Sequence, residues 1–282
     1  MRKIDKFEKV NEENFKRVVG VKRATFEVMV EEYKKAEEER KKGHKIGGRK
    51  PKLCEEDRVL LMLEYYREYR TLYHMGIDYG ISEGQASKVI RDVESVLIKS
   101  GKFSLPSKRV LYEADNEIEF VLIDATESPI QRPKKKQKHH YSGKKKQHTV
   151  KAQIVIDQNH RILCVNTTNG KEHDFSLYKR SRLPILKKIE VKVDLGYIGI
   201  KKFHSNVEIP KKNSKNYKLT NEDKIENQEK ASKRIFVEHI NAKIKTFQIL
   251  KQKYRNRRKR YNLRVNLICG LINFDRNMMV ER

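Results

Sequence analysis

The chain has no long apolar run, almost no cysteine and a shortage of negative charge. Its longest apolar stretches resemble Val59 to Leu63, which Arg58 directly precedes. They fall far short of the roughly 20 residues a helix needs to cross a bilayer, so a membrane-spanning helix is excluded. The start, Met1-Arg2-Lys3-Ile4-Asp5-Lys6, has no apolar stretch resembling a signal peptide. Cys54, Cys164 and Cys269 are odd in number and widely spaced. They exclude a disulfide framework and a zinc ribbon, and they fit a reducing, cytosolic compartment. Hydrophobic residues make up 37% of the chain and fall in discrete segments. The core is therefore expected to be local, with solvated surfaces around it.

What is abundant is positive charge. Lys and Arg number 65 against 38 Asp and Glu, a formal net charge of +27 over 282 residues. Such a chain is drawn to a polyanion, because each phosphate it neutralises releases condensed counterions. The cations recur in separate runs. Lys134, Lys135, Lys136, Lys138, Lys144, Lys145 and Lys146 lie in one tract, and Arg255-Asn256-Arg257-Arg258-Lys259-Arg260 forms another. Such runs cannot pack internally and read as phosphate contacts. His139 and His140 have no Cys or further His at the spacing zinc requires.

The first 50 residues read as a charged helical segment, with Phe26, Val30 and Tyr33 at helical spacing. The sequence Gly47-Gly48-Arg49-Lys50-Pro51 breaks it and reads as a linker or a backbone arm near phosphate. Residues 51–100 read as three short helices. Val59, Leu60, Leu63 and Tyr66 mark one face of the first, about Glu55 to Arg67, and the second covers about Thr71 to Tyr79. Gly80-Ile81-Ser82 follows, and Ser82 with Gln85 has the spacing of a capping box for the third helix. A short helix, a turn with Gly and a second helix make a helix-turn-helix, whose last helix can enter a major groove. In that reading Glu83, Gln85, Ser87, Lys88 and Arg91 face DNA.

After a connector at 101–116 the periodicity changes. Glu119 to Asp124 is an apolar run ending in a carboxylate, as a buried strand would. Thr149 to Asp157 and Arg161 to Thr168 alternate about a turn, a β-hairpin. His173 to Arg180 reads as a short helix, Glu190 to Asp194 as a second strand ending in Asp, and Ala231 to Leu250 as an amphipathic helix. Ile235, Phe236, His239, Ile240, Ile244, Phe247 and Leu250 contribute to its stripe. Residues 198–230 are polar and carry no readable fold. Strand, hairpin, helix, strand and late helix imply an α/β domain with a mixed sheet over residues 117–275.

Asp124 and Asp194 end two strands, and Glu238 sits on the late helix. Ligands gather at strand ends in open α/β sheets. Two carboxylates brought together there repel unless a cation lies between them. Mg²⁺ prefers carboxylate and water oxygens, and a pair of such ions suits in-line phosphoryl transfer. Taken singly, each acid has a plainer reading as a turn cap or a solvated helix position.

The surrounding sequences carry more. Val121-Leu122-Ile123-Asp124-Ala125-Thr126-Glu127-Ser128-Pro129, Gly170-Lys171-Glu172-His173-Asp174, Val193-Asp194-Leu195-Gly196-Tyr197 and Arg234-Ile235-Phe236-Val237-Glu238 occur in this order. The set resembles the DDE transposases of bacterial insertion sequences, specifically the insertion-sequence-five-like family, over roughly residues 50–275. The resemblance implies an RNase H-like catalytic domain behind a helix-turn-helix, and it implies that Asp124, Asp194 and Glu238 are the metal-binding, catalytic triad for Mg²⁺ or Mn²⁺. It further implies double-stranded DNA as partner, both element ends and target, at least a homodimer at work, and a bacterial cytoplasmic, nucleoid-associated setting. Arg132, Lys134, Lys135, Lys136, Arg234, Lys243, Arg257 and Arg258 are the expected phosphate contacts beside Gln85, Ser87, Lys88 and Arg91. His173 and Asp174 are auxiliary candidates, with helix capping the plainer role for Asp174, and Glu127 is a competing ligand. Two other functions share the same charge: a non-catalytic helix-turn-helix regulator, and a nuclease of this fold that cuts without joining.

Overall fold

A computed structural model describes residues 2–43, 51–113, 115, 117–215 and 217–277. Gly47 to Lys50 of the expected arm lie outside them. In chain order the elements are α1 (Glu12–Val19), α2 (Arg23–Gly43), α3 (Glu55–Glu68), α4 (Leu72–Asp78), α5 (Glu83–Lys99), β1 (Phe120–Pro129), α6 (Gln137–His140), β2 (Tyr141–Ser142), β3 (Gln147–Asp157) and β4 (Ile162–Asn169). There follow α7 (Asp174–Ser181), β5 (Glu190–Lys192), β6 (Val207–Glu208), α8 (Asn221–Thr246), α9 (Gln248–Lys251) and α10 (Tyr261–Asn277). They form two compact units, one of Met1–Ser104, Lys245–Gln252 and Leu267–Arg282, the other of Leu105–Ile244 and Lys253–Asn266. These units group residues by contact, whereas the expected divisions, 1–50, 51–100 and 117–275, follow the chain. The N-terminal helices share one core with α3 and α5, and the chain's last helix returns to that core.

The first unit is all helical and is built around α3. The sequence marks one apolar face on that helix, but every residue from Asp57 to Tyr66 is buried, because neighbours pack around its whole circumference. Its buried acids are satisfied internally: Asp57 accepts from the Lys3 and Ile4 amides at 3.0 and 2.8 Å, and Glu64 accepts from Lys3 Nζ at 2.7 Å. Helix α5 starts where the sequence places it. Ser82 accepts from the Gln85 amide at 3.2 Å, and Gln85 Oε1 accepts from the Ser82 amide at 3.0 Å. Gly76 of α4 sits so close to the turn that a Cβ there would lie 2.7 Å from the Ile81 carbonyl oxygen. Only glycine lets these two helices meet at that turn.

The second unit holds one mixed sheet. Its order is β2-β3-β1-β5-β6, with β4 also paired to β3. Strands β1, β3 and β4 are antiparallel neighbours, whereas β5 runs parallel to β1 and β6 parallel to β5. With helices packed on it, this is the α/β, RNase H-like architecture that the resemblance implies. Alternation assigns the faces. Val121 and Ile123 join Val155, Cys164, Val191, Val193 and Tyr178 of α7 in one buried cluster, and Asp124 points the other way, towards α8.

Several expectations need correction. Strand β1 does not end at Asp124 but continues to Pro129, so Asp124 lies inside the strand. Helix α8 begins at Asn221, inside the stretch that carried no readable fold, and it ends at Thr246. Its buried stripe is Val237, Ile240 and Ile244, while Ile235 and Phe236 are exposed. The hairpin strand β3 is buried on both faces from Thr149 to Asp157, although its sequence alternates. Among the described residues no helix is long and apolar enough to cross a membrane.

Candidate active site

Pairing between β1 and β5 is parallel and aligns Leu122 with Lys192. Strand β5 ends there, and two residues further on Asp194 lies near enough to Asp124 for its charge to push the Asp124 carboxyl up. Asp194 lies just beyond the end of β5 and opens a single 3-10 turn, Leu195–Tyr197, where its Oδ1 accepts from the Gly196 amide at 2.9 Å. The plain reading of Asp194 as a turn cap is thus realised, and its remaining oxygen is unused by that cap.

Asp124 faces α8. Asn241 Nδ2 donates to Asp124 Oδ2 at 2.7 Å, and the Arg234 guanidinium lies 3.7 Å from Oδ1. Arg234, Glu238 and Asn241 stand at i, i+4 and i+7, so they share one stripe of the helix. Glu238 is exposed. Among the described residues no three His, Cys, Asp or Glu side chains gather closely enough to hold a metal ion. The structure therefore brings Asp124 and Asp194 together and sets Glu238 on the adjoining stripe, without closing a three-carboxylate cluster.

Burial pushes the Asp124 carboxyl up to about 6; Arg234 opposes this and Asp194 and Asp174 add to it. A buried acid whose neighbours are acids is stabilised as a carboxylate by a cation. The oxygen-only donors match a hard divalent ion, which is commonly held by one or two carboxylates together with water and phosphate oxygens. Oxygens left unsatisfied near the same spot support this: Asn241 Oδ1 and the Tyr197 hydroxyl are buried without a hydrogen-bond partner among the described residues. The site fits a divalent cation.

Asp174 is not the cap of α7. His173 holds that position without a side-chain cap bond and is exposed, while Asp174 is the first helical residue. Its Oδ1 pairs with Lys151 Nζ at 2.7 Å. Glu127 is turned away from Asp124, since alternation puts it on the opposite face, where it accepts from Thr149 Oγ1 at 2.8 Å. A Cβ on Gly196 would lie 2.8 Å from Asp174 Oδ2 and 2.9 Å from Asp194 Oδ1.

Lys151 and Asn241 carry no role in the sequence pattern, and Gly196 and Tyr197 appear there only as members of the Asp194 motif. Asn241 was within reach of that pattern, at helical spacing from Arg234 and Glu238. Lys151 and Gln153 left a weaker sign, as polar residues on the second face of an alternating strand.

The expected DNA contacts divide into two sets. Lys88, Arg91, Lys134, Lys135, Lys136, Lys243 and Arg257 are exposed. Gln85 is exposed too, but its carbonyl oxygen is committed to the cap, which leaves its amide N–H groups for a base edge. Ser87 is half-buried and its carbonyl accepts from Arg91 Nε at 3.1 Å. Arg132 donates to Gln137 at 2.9 Å. Arg234 faces Asp124 instead of the outer surface, and Arg258 is engaged with His140 Nε2. Burial and the Arg258 charge push the His140 imidazole below its ordinary value. A cleft of about 280 Å³ lined by Pro51, Leu53, Ile81, Gln85, Lys88 and Val89 lies beside the start of α5, on the helix-turn-helix and not at the acids.

Comparison with known proteins bears on the whole chain. The family model described as "DDE superfamily endonuclease" matches residues 123–273, and the one described as "Helix-turn-helix of DDE superfamily endonuclease" matches residues 51–103. A "Probable transposase for insertion sequence element IS702" from Microchaete diplosiphon is 44% identical over 274 residues, which are 97% of this chain and 98% of that protein. No solved structure matches.

Proposed function

Because the chain belongs to the DDE superfamily endonucleases, as a transposase of an insertion sequence with its own helix-turn-helix, we propose that it binds the element's ends, cuts there and joins the freed strands to target DNA. The observation that supports this reading most is the closeness of the two acids at the β1–β5 edge: Asp194 follows β5, which pairs in parallel with β1, and its charge acts on Asp124, with Glu238 on the facing helix α8.

In this reading α5 enters the major groove with Lys88, Arg91 and the Gln85 amide, and the exposed tracts around Lys134 to Lys136 and Arg257 track the backbone. Asp124, Asp194 and Glu238 would hold divalent metal, two Mg²⁺ or Mn²⁺ ions. Once bound, such ions supply Lewis-acid activation of an oxygen nucleophile and neutralise charge on the phosphoryl group. The chain's own part is placement. Asn241 orients the Asp124 carboxylate through its amide, and Arg234 offsets part of the negative charge on that carboxylate.

Cutting is hydrolysis: water's oxygen bonds to phosphorus, the P–O3′ bond breaks, and the 3′ oxygen leaves as a hydroxyl. Joining exchanges one phosphodiester for another. The 3′ oxygen bonds to a target phosphorus while the target's own 3′ oxygen leaves and takes up the proton. Bond types are conserved, so neither ATP nor a covalent enzyme intermediate is required. Joining two ends calls for at least two copies of the chain, working on DNA in the bacterial nucleoid.

The test is labelled element-end DNA incubated with the protein and Mg²⁺ or Mn²⁺, beside Asp124→Ala, Asp194→Ala and Glu238→Ala. Metal-dependent nicks and joined products from the unsubstituted protein alone are expected. Nicks without joined products would identify a nuclease. Binding without nicks, or equal cutting by the variants, would overturn the catalytic reading.

A further inference from the structure

Behind the aspartate pair lies an assembly that the proposed reaction leaves unused. Lys151 of β3 is buried, at 7% exposure, among three acceptors. It pairs with Asp174 Oδ1 at 2.7 Å, donates to the Glu172 carbonyl at 2.6 Å and lies 3.9 Å from Glu127 Oε1. The second oxygen of Asp174 faces Asp194 Oδ1 across Gly196, where even a methyl group would not fit. Next in the chain, Tyr197 is fully buried with its ring edge-on to Tyr178, the centroids 6.4 Å apart. Its hydroxyl has no partner among the described residues and lies in the field of Asp174, Asp124 and Asp194. A hydroxyl sealed away without an acceptor is costly, and such groups are retained for a reason.

Two features mark Asp174 as something other than another cation ligand. A buried ammonium already matches its charge. It also approaches the Asp194 turn from the face of the sheet opposite Asp124, the face of Lys151 and Glu127. From that side it closes on the Asp194 turn at Gly196, leaving no room there for a larger residue.

We propose that Asp174, paired with Lys151 and in the same buried electrostatic neighbourhood as the Tyr197 hydroxyl, is a positioning residue that fixes the Leu195–Tyr197 turn and directs the Asp194 carboxylate towards Asp124. The inference rests on the reading of Asp124 and Asp194 as the cutting pair. Lys151 ties Asp174 by charge and the Glu172 carbonyl by hydrogen bond, and its part in the site is carried through Asp174. Partners that orient a ligand without touching the cation typically change metal affinity or activity 10- to 100-fold when removed.

The experiment uses the full chain carrying Asp174→Asn, Tyr197→Phe, Lys151→Met or the pair Lys151→Met/Asp174→Asn. It measures single-turnover nicking of element-end DNA across a Mg²⁺ titration, with DNA affinity and thermal melting measured alongside. Asp174→Asn and Tyr197→Phe are expected to nick about 10- to 100-fold more slowly at low Mg²⁺ and to need more Mg²⁺ for half-maximal rate. Their DNA affinity should stay within about twofold, and the paired variant should be no slower than Lys151→Met alone. Should Asp174→Asn fail to fold, the nearly isosteric Tyr197→Phe decides. An unchanged rate and unchanged Mg²⁺ requirement in the variants, while the unsubstituted protein nicks, overturns this inference alone. An unsubstituted protein that does not nick overturns the reading of the aspartate pair as well.

Discussion

Replacing Asp124 by Asn should make the metal-free protein more stable at neutral pH while it abolishes cutting. The side chain is 19% exposed, and burial, with Asp194 and Asp174 nearby, moves its carboxyl from an ordinary 3.8 to about 6, with Arg234 opposing. A folded-state value above the unfolded one means that folding favours the protonated acid. The stability this group contributes is fully present below pH 3.8 and is lost as pH rises through 6. At about 1.36 kcal/mol per pH unit, the ionised carboxylate costs the fold about 3 kcal/mol above pH 6. Asn removes that charge and keeps the shape, but it leaves Arg234 facing a neutral amide. The net gain is therefore expected at about 1–2 kcal/mol. Urea unfolding with a chelator present, at pH 7.5 and again at pH 3.5, measures it. The variant should unfold at higher urea at pH 7.5, and the two curves should converge at pH 3.5. Added Mg²⁺ should stabilise the unsubstituted protein more than the variant, because ligand binding to the folded state raises its stability by mass action. A variant equal to or less stable than the parent at pH 7.5 would refute the reasoning.

Other substitutions probe the remaining features. Gly196→Ala puts a Cβ 2.8 Å from Asp174 Oδ2 and 2.9 Å from Asp194 Oδ1; nicking is expected to fall about 100-fold, the scale of a 1 Å misplacement, with gel-shift affinity for element-end DNA unchanged. Gly270→Ala puts a Cβ 1.7 Å from the Phe103 carbonyl oxygen. That overpacking should cost about 3 kcal/mol in urea unfolding. Ser82→Ala removes one half of the capping box at α5 and should cost about 1 kcal/mol, read as a lower melting temperature. Lys88→Ala should lessen the slope of log affinity against log salt by about 1, measured by fluorescence anisotropy on element-end DNA.

Much of the fold was legible where a few adjacent residues decide it. The start of α5 could be read because Ser82 and Gln85 cap each other across three positions. The β3–β4 hairpin could be read because alternation has a period of two. The start of α8 could not. Its first ten residues, Asn221 to Lys230, contain one large apolar side chain, Ile225, and that is exposed. What anchors this start is Asp223, which accepts from the Thr220 amide at 3.0 Å, from the Tyr217 hydroxyl at 2.8 Å and from Lys211 Nζ at 2.7 Å. Burial all round α3 was hidden for a related reason: periodicity reports one face, whereas its neighbours cover every side.

By itself the sequence pointed to a polyanion partner, through its charge; it determined the helix-turn-helix, through a local cap; and it offered three candidate acids, through the motifs around them. The tertiary structure decided which of those acids meet. Asp124 comes near Asp194 because β1 pairs in parallel with β5, whose end leads into Asp194, and it finds Asn241 across 117 positions of chain. Asp174 reaches Asp194 only because Gly196 leaves the gap, and Lys151 holds it there from another strand. Caps and alternation depend on neighbours in the chain and can be read along it. Register between distant strands, and the balance of charge it creates, depend on packing that no short stretch of sequence contains.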